Sequence, residues 1–389
     1  MLDVSKEIAP LAGIPTCNID DPQVWPHDIE GKGLQSMSRT PHMNYHFGGQ
    51  YWLNAYLRSN SHLLTDDIDK ACMVWVDLYC YNQWLHSWMD GKMKRLPNAT
   101  VEEPGHWQGQ DYVFQVTHSG SIGVYGRPLC GMMRNSFMLV PTHGFICNKD
   151  RTKVERRQAE VLPYNAVAGI DLGRPIVGSR RDTFLYMRAG CTNSTKRSSG
   201  VRLRYYIVQE YEGLAGDVQV HCTCSICPGR KTHDEIIADY ASSVFCPIIV
   251  GDNTGSVRLS EIVLAGCIPV FMAPPMHEMP LDFDVDYASF GVFLNITNSR
   301  AWNDPPTPFK IPRPARKVEA AVVTVPNLRA AYDHLRSFSP EAVRNMQAAL
   351  ERERVKLYFK VPPGRRSSVL AQLVFKNVMV YEKTILRGL

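Results

Sequence analysis

The sequence predicts an α/β protein, because segments of strand length alternate with helical segments along most of its 389 residues. The clearest such unit is residues 240–272, YASSVFCPIIVGDNTGSVRLSEIVLAGCIPVFM. Phe245 to Val250 is a short apolar run, Gly251 to Gly255 is turn chemistry, and Ser256 is placed to cap a helix. Leu259, Ile262, Val263 and Gly266 then recur at helical spacing, and Ile268 to Met272 is a second buried strand. Hydrophobic residues make up 44% of the chain, enough for sizeable cores, and the length accommodates two domains.

The elements follow in order. Residues 1–44 are proline-containing and weakly periodic, and are expected to be irregular. Gly49 to Asn60 reads as a helix, Ala71 to Tyr79 as a strand, and Tyr81 to Met89 as a helix. Tyr112 to Thr117, Ser136 to Pro141 and Val161 to Tyr164 read as short strands. These place a first α/β domain over 45–165. The aperiodic stretch Asn165 to Arg181 is the expected linker.

A second domain over 175–359 begins with the strand Thr183–Met187 and a helix near Val201–Glu212. It continues with the strand Val218–His221, the helix His233–Ala241, and the unit described above. Residues 300–317, rich in proline, read as an extended surface loop. Ser339, Pro340 and Glu341 are the cap, first position and first-turn acid of a helix reaching about Phe359. The tail 360–389 is placed to cross back toward the first domain.

Ligands of parallel α/β units bind outside the carboxyl ends of the strands. The loop and helix start around Gly255 and Ser256 offer free N–H groups suited to an anion. Arg258 and Glu261, three apart, share a helix face expected to turn away from the apolar stripe. A cation in the first turn opposes the helix dipole, a conflict that a bound anion would remove. A surface ion pair is the alternative reading of the same spacing.

The run Ser243-Val244-Phe245-Cys246, Gly251-Asp252, Ser256-x-Arg258-x-x-Glu261 and Gly266-Cys267-Ile268-Pro269-Val270 resembles the exostosin-like glycosyltransferases of family 47. Met279 to Phe290, Arg181-x-x-Phe184-Leu185-Tyr186-Met187-x-Ala189-Gly190, Gly200-Val201-Arg202, Gly109-Gln110-Asp111-Tyr112 and Tyr51 to Trp75 are similar to further segments of that family, in order. The resemblance covers roughly residues 45–360. Within it the usual proline sits at Pro247 rather than just before the glycine, and Tyr112 stands where histidine is common.

The resemblance implies a GT-B fold, two Rossmann-like α/β domains facing across a cleft. It implies inverting transfer of a sugar from a nucleotide sugar, with UDP the expected carrier, to a hydroxyl of a glycan or glycoprotein. Gly255, Ser256 and Arg258 would hold the phosphates, assisted by Arg181 or Arg202, and Glu261 would bind ribose or sugar hydroxyls. Asp111 and His118 flank a first-domain strand and are the candidate general bases, ahead of His143 and Glu278.

No metal or other cofactor is expected. The alternating run Asp282, Asp284, Asp286 is the one feature that argues for a metal. A catalytically silent exostosin-like subunit that binds a glycan or partner is the alternative function. Oligomers with itself or with related transferases are a further expectation. A dinucleotide oxidoreductase is disfavoured, because the G-x-G-x-x-G fingerprint is missing.

The net charge of +5 is too small to suggest nucleic acid or a membrane patch as partner. There is no apolar run long enough for a membrane span and no signal peptide in the first 30 residues. The family resemblance implies a Golgi lumenal or membrane location with an N-terminal anchor. The expected opening strand is not visible, which favours a truncated N-terminus. Eleven cysteines, an odd number, would leave at least one unpaired in an oxidising compartment. Cys222-x-Cys224-x-x-Cys227 is too tight for a zinc ribbon and reads as a local disulfide or buried thiols. Sequons at Asn98, Asn193 and Asn295 permit a lumenal site.

Overall fold

The computed structural model describes residues 2–3, 49–65, 71–77, 112–115, 136–140, 159–164, 170–194, 199–223, 231–249, 255–272, 279–298, 316–361 and 367–383. The strands in chain order are β1 (Leu2–Asp3), β2 (Val74–Asp77), β3 (Tyr112–Gln115), β4 (Phe137–Val140), β5 (Ala159–Val161), β6 (Thr183–Gly190), β7 (Val218–Thr223), β8 (Ser243–Ile248), β9 (Ile268–Met272), β10 (Val292–Ile296) and β11 (Val322–Val325). The helices are α1 (Gly49–Ser59), α2 (Ser199–Tyr211), α3 (His233–Ala241), α4 (Val257–Ala265), α5 (Leu328–Arg336), α6 (Pro340–Glu353) and α7 (Val369–Tyr381), with a single turn at Arg316–Glu319. The chain divides into two compact units, one of residues 1–165 and 359–389, the other of residues 166–358.

In the first unit the strands form one parallel sheet in the order β1-β2-β3-β4-β5. Every residue of β4 is buried, as expected of a parallel strand covered on both faces. Trp75, Val113, Phe114, Met138 and Leu139 are fully enclosed. Helix α7 belongs to this unit. Its Phe375 stacks on Tyr56 of α1 at 5.2 Å and packs against Trp75 at 5.4 Å, and its Tyr381 packs against Phe137 at 4.7 Å. Leu2 and Asp3, read from the sequence as irregular, pair with Val74 and Trp75 as an added parallel strand.

The second unit is a parallel sheet in the order β11-β10-β9-β8-β6-β7. The chain moves from β6 outward to β7, then returns past β6 to β8. Right-handed crossovers therefore put α2 on one face, and α3 and α4 on the other. The topological switch point lies between β6 and β8, where such sheets bind ligands at their carboxyl ends.

Local chemistry sets the helix ends here. Thr232 and Glu235 form a capping box at the start of α3, with Thr232 N–H donating to Glu235 Oε2 at 2.6 Å. Ser339 caps α6 with Pro340 in its first turn, and α6 gives way to a 3₁₀ turn, Arg354–Leu357, before the end predicted from sequence. Gly266 ends α4 at φ 86°, and Cys267 N–H bonds back to the Ile262 carbonyl at 3.0 Å.

Candidate functional site

The carboxyl edge of the second sheet collects the start of α4, the start of α3 and the ends of β6, β7 and β8. Ser256 occupies the N-cap position of α4 in extended conformation, although its side chain makes no capping bond, and Gly255 precedes it. Leu259, Ile262 and Val263 are buried against the sheet as their spacing predicts. Arg258 and Glu261 do form the ion pair, at 2.7 Å.

Glu261 departs from the expectation, however. It is not turned to solvent, being only 1% exposed, and its other oxygen lies 3.2 Å from His233 Nε2 of α3. The reason is that α3 packs directly on α4, so the face next to the apolar stripe is covered by a second helix rather than by water. Arg258 keeps 37% of its side chain exposed. Burial works against its charge, but the Glu261 carboxylate outweighs that and holds the guanidinium more firmly protonated than usual. The result is a cation with a buried anchor and an open outer side at a helix N-terminus.

Behind this pair stands a second polar cluster. Tyr240, 1% exposed, has its phenol pKa pushed up by burial, with Arg258 pulling it back. Tyr186 of β6 donates to Asp239 Oδ2 at 2.7 Å, and Lys231 Nζ reaches the same oxygen at 2.5 Å. Arg188 and His221 lie opposite each other in the β6–β7 register. Burial, then the charges of Arg188 and Lys231, hold the His221 pKa below its ordinary value.

The other site residues read from sequence divide. Arg202 lies in α2 and is 2% exposed. Two residues on, Arg204 reaches the strand ends, donating to the Gly190 carbonyl at 3.2 Å and to the Ile249 carbonyl at 2.6 Å. Arg181 is at the opposite, amino-terminal edge of the sheet. It donates to the Ser243 carbonyl at 2.5 Å and lies beside Gly266 at the far end of α4. Burial, with Arg174 and Arg354 nearby, lowers its pKa to about 10. The strand Thr183–Gly190 therefore separates Arg181 from the phosphate candidates, and the side chain serves the packing of the sheet base. Asp111, His118, His143 and Glu278 lie outside the described residues.

The Asp282, Asp284, Asp286 run is not an alternating strand. It forms a turn with Leu281 at φ 51°, leading into the 3₁₀ turn Tyr287–Ser289. No cluster of three metal-ligating side chains occurs among the described residues.

Cys222 pairs with Cys191, 31 residues away, rather than locally, because the parallel β6–β7 register brings the two strand ends together. Cys224 and Cys227 lie outside the described residues. Cys246 in the middle of β8 and Cys267 just before the neighbouring β9 form a second disulfide, and both are fully buried. No helix among the described residues is long and apolar enough to cross a membrane. Of the sequons, Asn193 is exposed just after β6, whereas Asn295 lies in β10 with its amide 3.4 Å from Thr324 Oγ1.

The family model for the exostosin GT47 domain matches residues 25–303, well over half of the chain. The chain belongs to the exostosin GT47 family. It is accordingly a glycosyltransferase-family protein, and its parallel α/β sheets agree with the Rossmann-like GT-B architecture of that family. A search of curated proteins found no match.

Sequence reasoning missed three residues of this candidate site. His233 and Tyr240 come from α3, 21 or more positions before Glu261, and no local spacing links them. Arg204 sits two residues from the arginine that the family pattern singles out.

Proposed function

We propose that this GT47 protein transfers a sugar from a UDP-type nucleotide sugar to a hydroxyl of a glycan or glycoprotein, with inversion at the anomeric carbon. The observation that supports this best is Arg258, fixed from behind by buried Glu261 and exposed at the start of α4 on the carboxyl edge of the sheet. The diphosphate would rest on the backbone N–H groups near Gly255 and Ser256 and on Arg258, where a helix terminus and a cation both favour negative charge. In the reaction the acceptor oxygen attacks the anomeric carbon from the side opposite the diphosphate, whose C–O bond breaks with the electron pair leaving on phosphate. The acceptor hydroxyl's proton passes to a general base, for which Asp111 and His118 are the candidates.

No metal is required in this scheme, because the cation and helix terminus supply the charge stabilisation. Glu261, buried and bonded to Arg258, would act through that guanidinium. A Golgi lumenal location fits two disulfides, which persist in oxidising compartments.

A panel of nucleotide sugars, read by released nucleotide with a glycan acceptor mixture and repeated in EDTA, tests the reading. Release from a UDP-sugar that survives EDTA is expected. Loss in EDTA with rescue by manganese would sink the metal-free scheme. Nucleotide binding without any turnover would favour a silent subunit. Asp111→Asn or His118→Ala is expected to lower turnover by about 10²–10⁴ while UDP affinity is kept. Unchanged turnover in both would place the base elsewhere.

A further inference from the structure

The pairing between β6 and β8 ends early. It runs through Thr183 with Ser243 and Leu185 with Phe245, and is not carried on to Pro247. On its other side β8 stays paired with β9 through Pro247 and Ile248. The two strands nevertheless stay side by side in the sheet, each also paired with its outer neighbour.

One side chain joins their ends. Arg204 donates one guanidinium nitrogen to the Gly190 carbonyl at the end of β6 and the other to the Ile249 carbonyl just past β8. The β6 side of this bridge is further secured, since Cys191, next to Gly190, is bonded to Cys222 of β7. Ile249 is where the chain departs for Gly255 and α4. A guanidinium holds its donors in a rigid planar fork, so bonding both carbonyls sets the distance between them. An ammonium is a point charge and sets none.

We infer that Arg204 is a positioning residue for the donor site. It fixes the end of β6 and the chain's exit from β8 relative to each other at the carboxyl edge of the sheet. This rests on the donor-binding reading of that edge.

The test uses the full chain with Arg204→Gln and Arg204→Lys. Hydrogen exchange without nucleotide is followed on the peptide covering residues 244–259, alongside UDP calorimetry and donor kinetics. Both variants are expected to speed exchange in that peptide while the peptides of β10 and β11 stay as in the parent. Both are expected to lower kcat/KM for the donor about 10–100-fold, through KM more than kcat. Failure of the lysine variant to rescue marks geometry rather than charge as the cause. If glutamine prevents folding, the lysine variant alone decides. A parent that binds UDP, with variants equal to it in exchange and within twofold in affinity, would overturn the Arg204 assignment and leave the donor reading intact. A parent that binds no nucleotide would overturn the donor reading, and the assignment with it.

Discussion

Arg258 illustrates how a residue's neighbours decide what it can do. The same i, i+3 pair on a free surface contributes about 0.3–0.5 kcal/mol and constrains little. Here Glu261 is enclosed by α3, so the carboxylate cannot leave and the guanidinium is held in place. Arg258→Ala is expected to weaken UDP binding by about 1.5–3 kcal/mol, measured by calorimetry. Glu261→Gln is expected to weaken it too, through a loosened Arg258. It should also destabilise the fold toward the lower end of the about 3–5 kcal/mol seen when a buried pair loses one partner, because Arg258 is partly exposed. Equal UDP affinity in a folded Arg258→Ala protein would remove this residue from the phosphate site.

His221 carries a pH prediction. Its pKa is depressed, so below about 6.5 the unfolded chain binds a proton that the folded chain resists. The stability is complete above that pH and falls as the pH drops through it. Thermal melts between pH 8 and pH 5 should show a smaller acid loss in His221→Gln than in the parent, and identical pH profiles would refute it.

Elements are positioned at the candidate site by their ends more than by their middles. Helix α4 can start at the carboxyl edge and return to β9 only because its last turn closes within one residue at Gly266. A Cβ there would stand 2.7 Å from Ile176 Cγ1, in a left-handed backbone conformation. Gly266→Ala is therefore expected to cost about 1–3 kcal/mol, or some 2–4 °C of melting temperature for each kcal/mol in a protein of this size. A melting temperature within 1 °C of the parent, about the resolution of a melt, would show that Ile176 yields freely. The strand–loop–helix–strand unit was legible in the sequence because its signals are local: two apolar runs, the Gly251 to Gly255 turn, Ser256 and the helical spacing from Leu259. The Asp282 to Asp286 run shows that alternation over five residues suits a turn as well as a strand. Leu281 at positive φ is invisible to periodicity.

For the molecule as a whole, the chain's last described helix belongs with its first half. Phe375 of α7 is 6% exposed and lies against Tyr56 and Trp75, so the 1–165 segment does not complete its core without residues from beyond 359. Phe375→Ala is expected to destabilise the first unit by about 3–5 kcal/mol. Because the candidate donor site is built from residues 166–358 alone, UDP affinity measured below the melting transition should stay at the parent's value. Loss of UDP binding in a still-folded variant would show that the donor site draws on the first unit.

Sequence by itself determined the alternation of strands and helices, the helix caps and the motif by which the family is recognised, since all of these are written in short-range periodicity and turn chemistry. Only the tertiary structure decided that Glu261 is buried, that Cys191 joins Cys222, that Arg181 stands at the amino-terminal edge of the sheet, and that Arg204 bridges the ends of β6 and β8. Each of these depends on which strands lie side by side. That order follows from burying helices on both faces of one sheet, a choice made across more than sixty residues and carried by no local pattern.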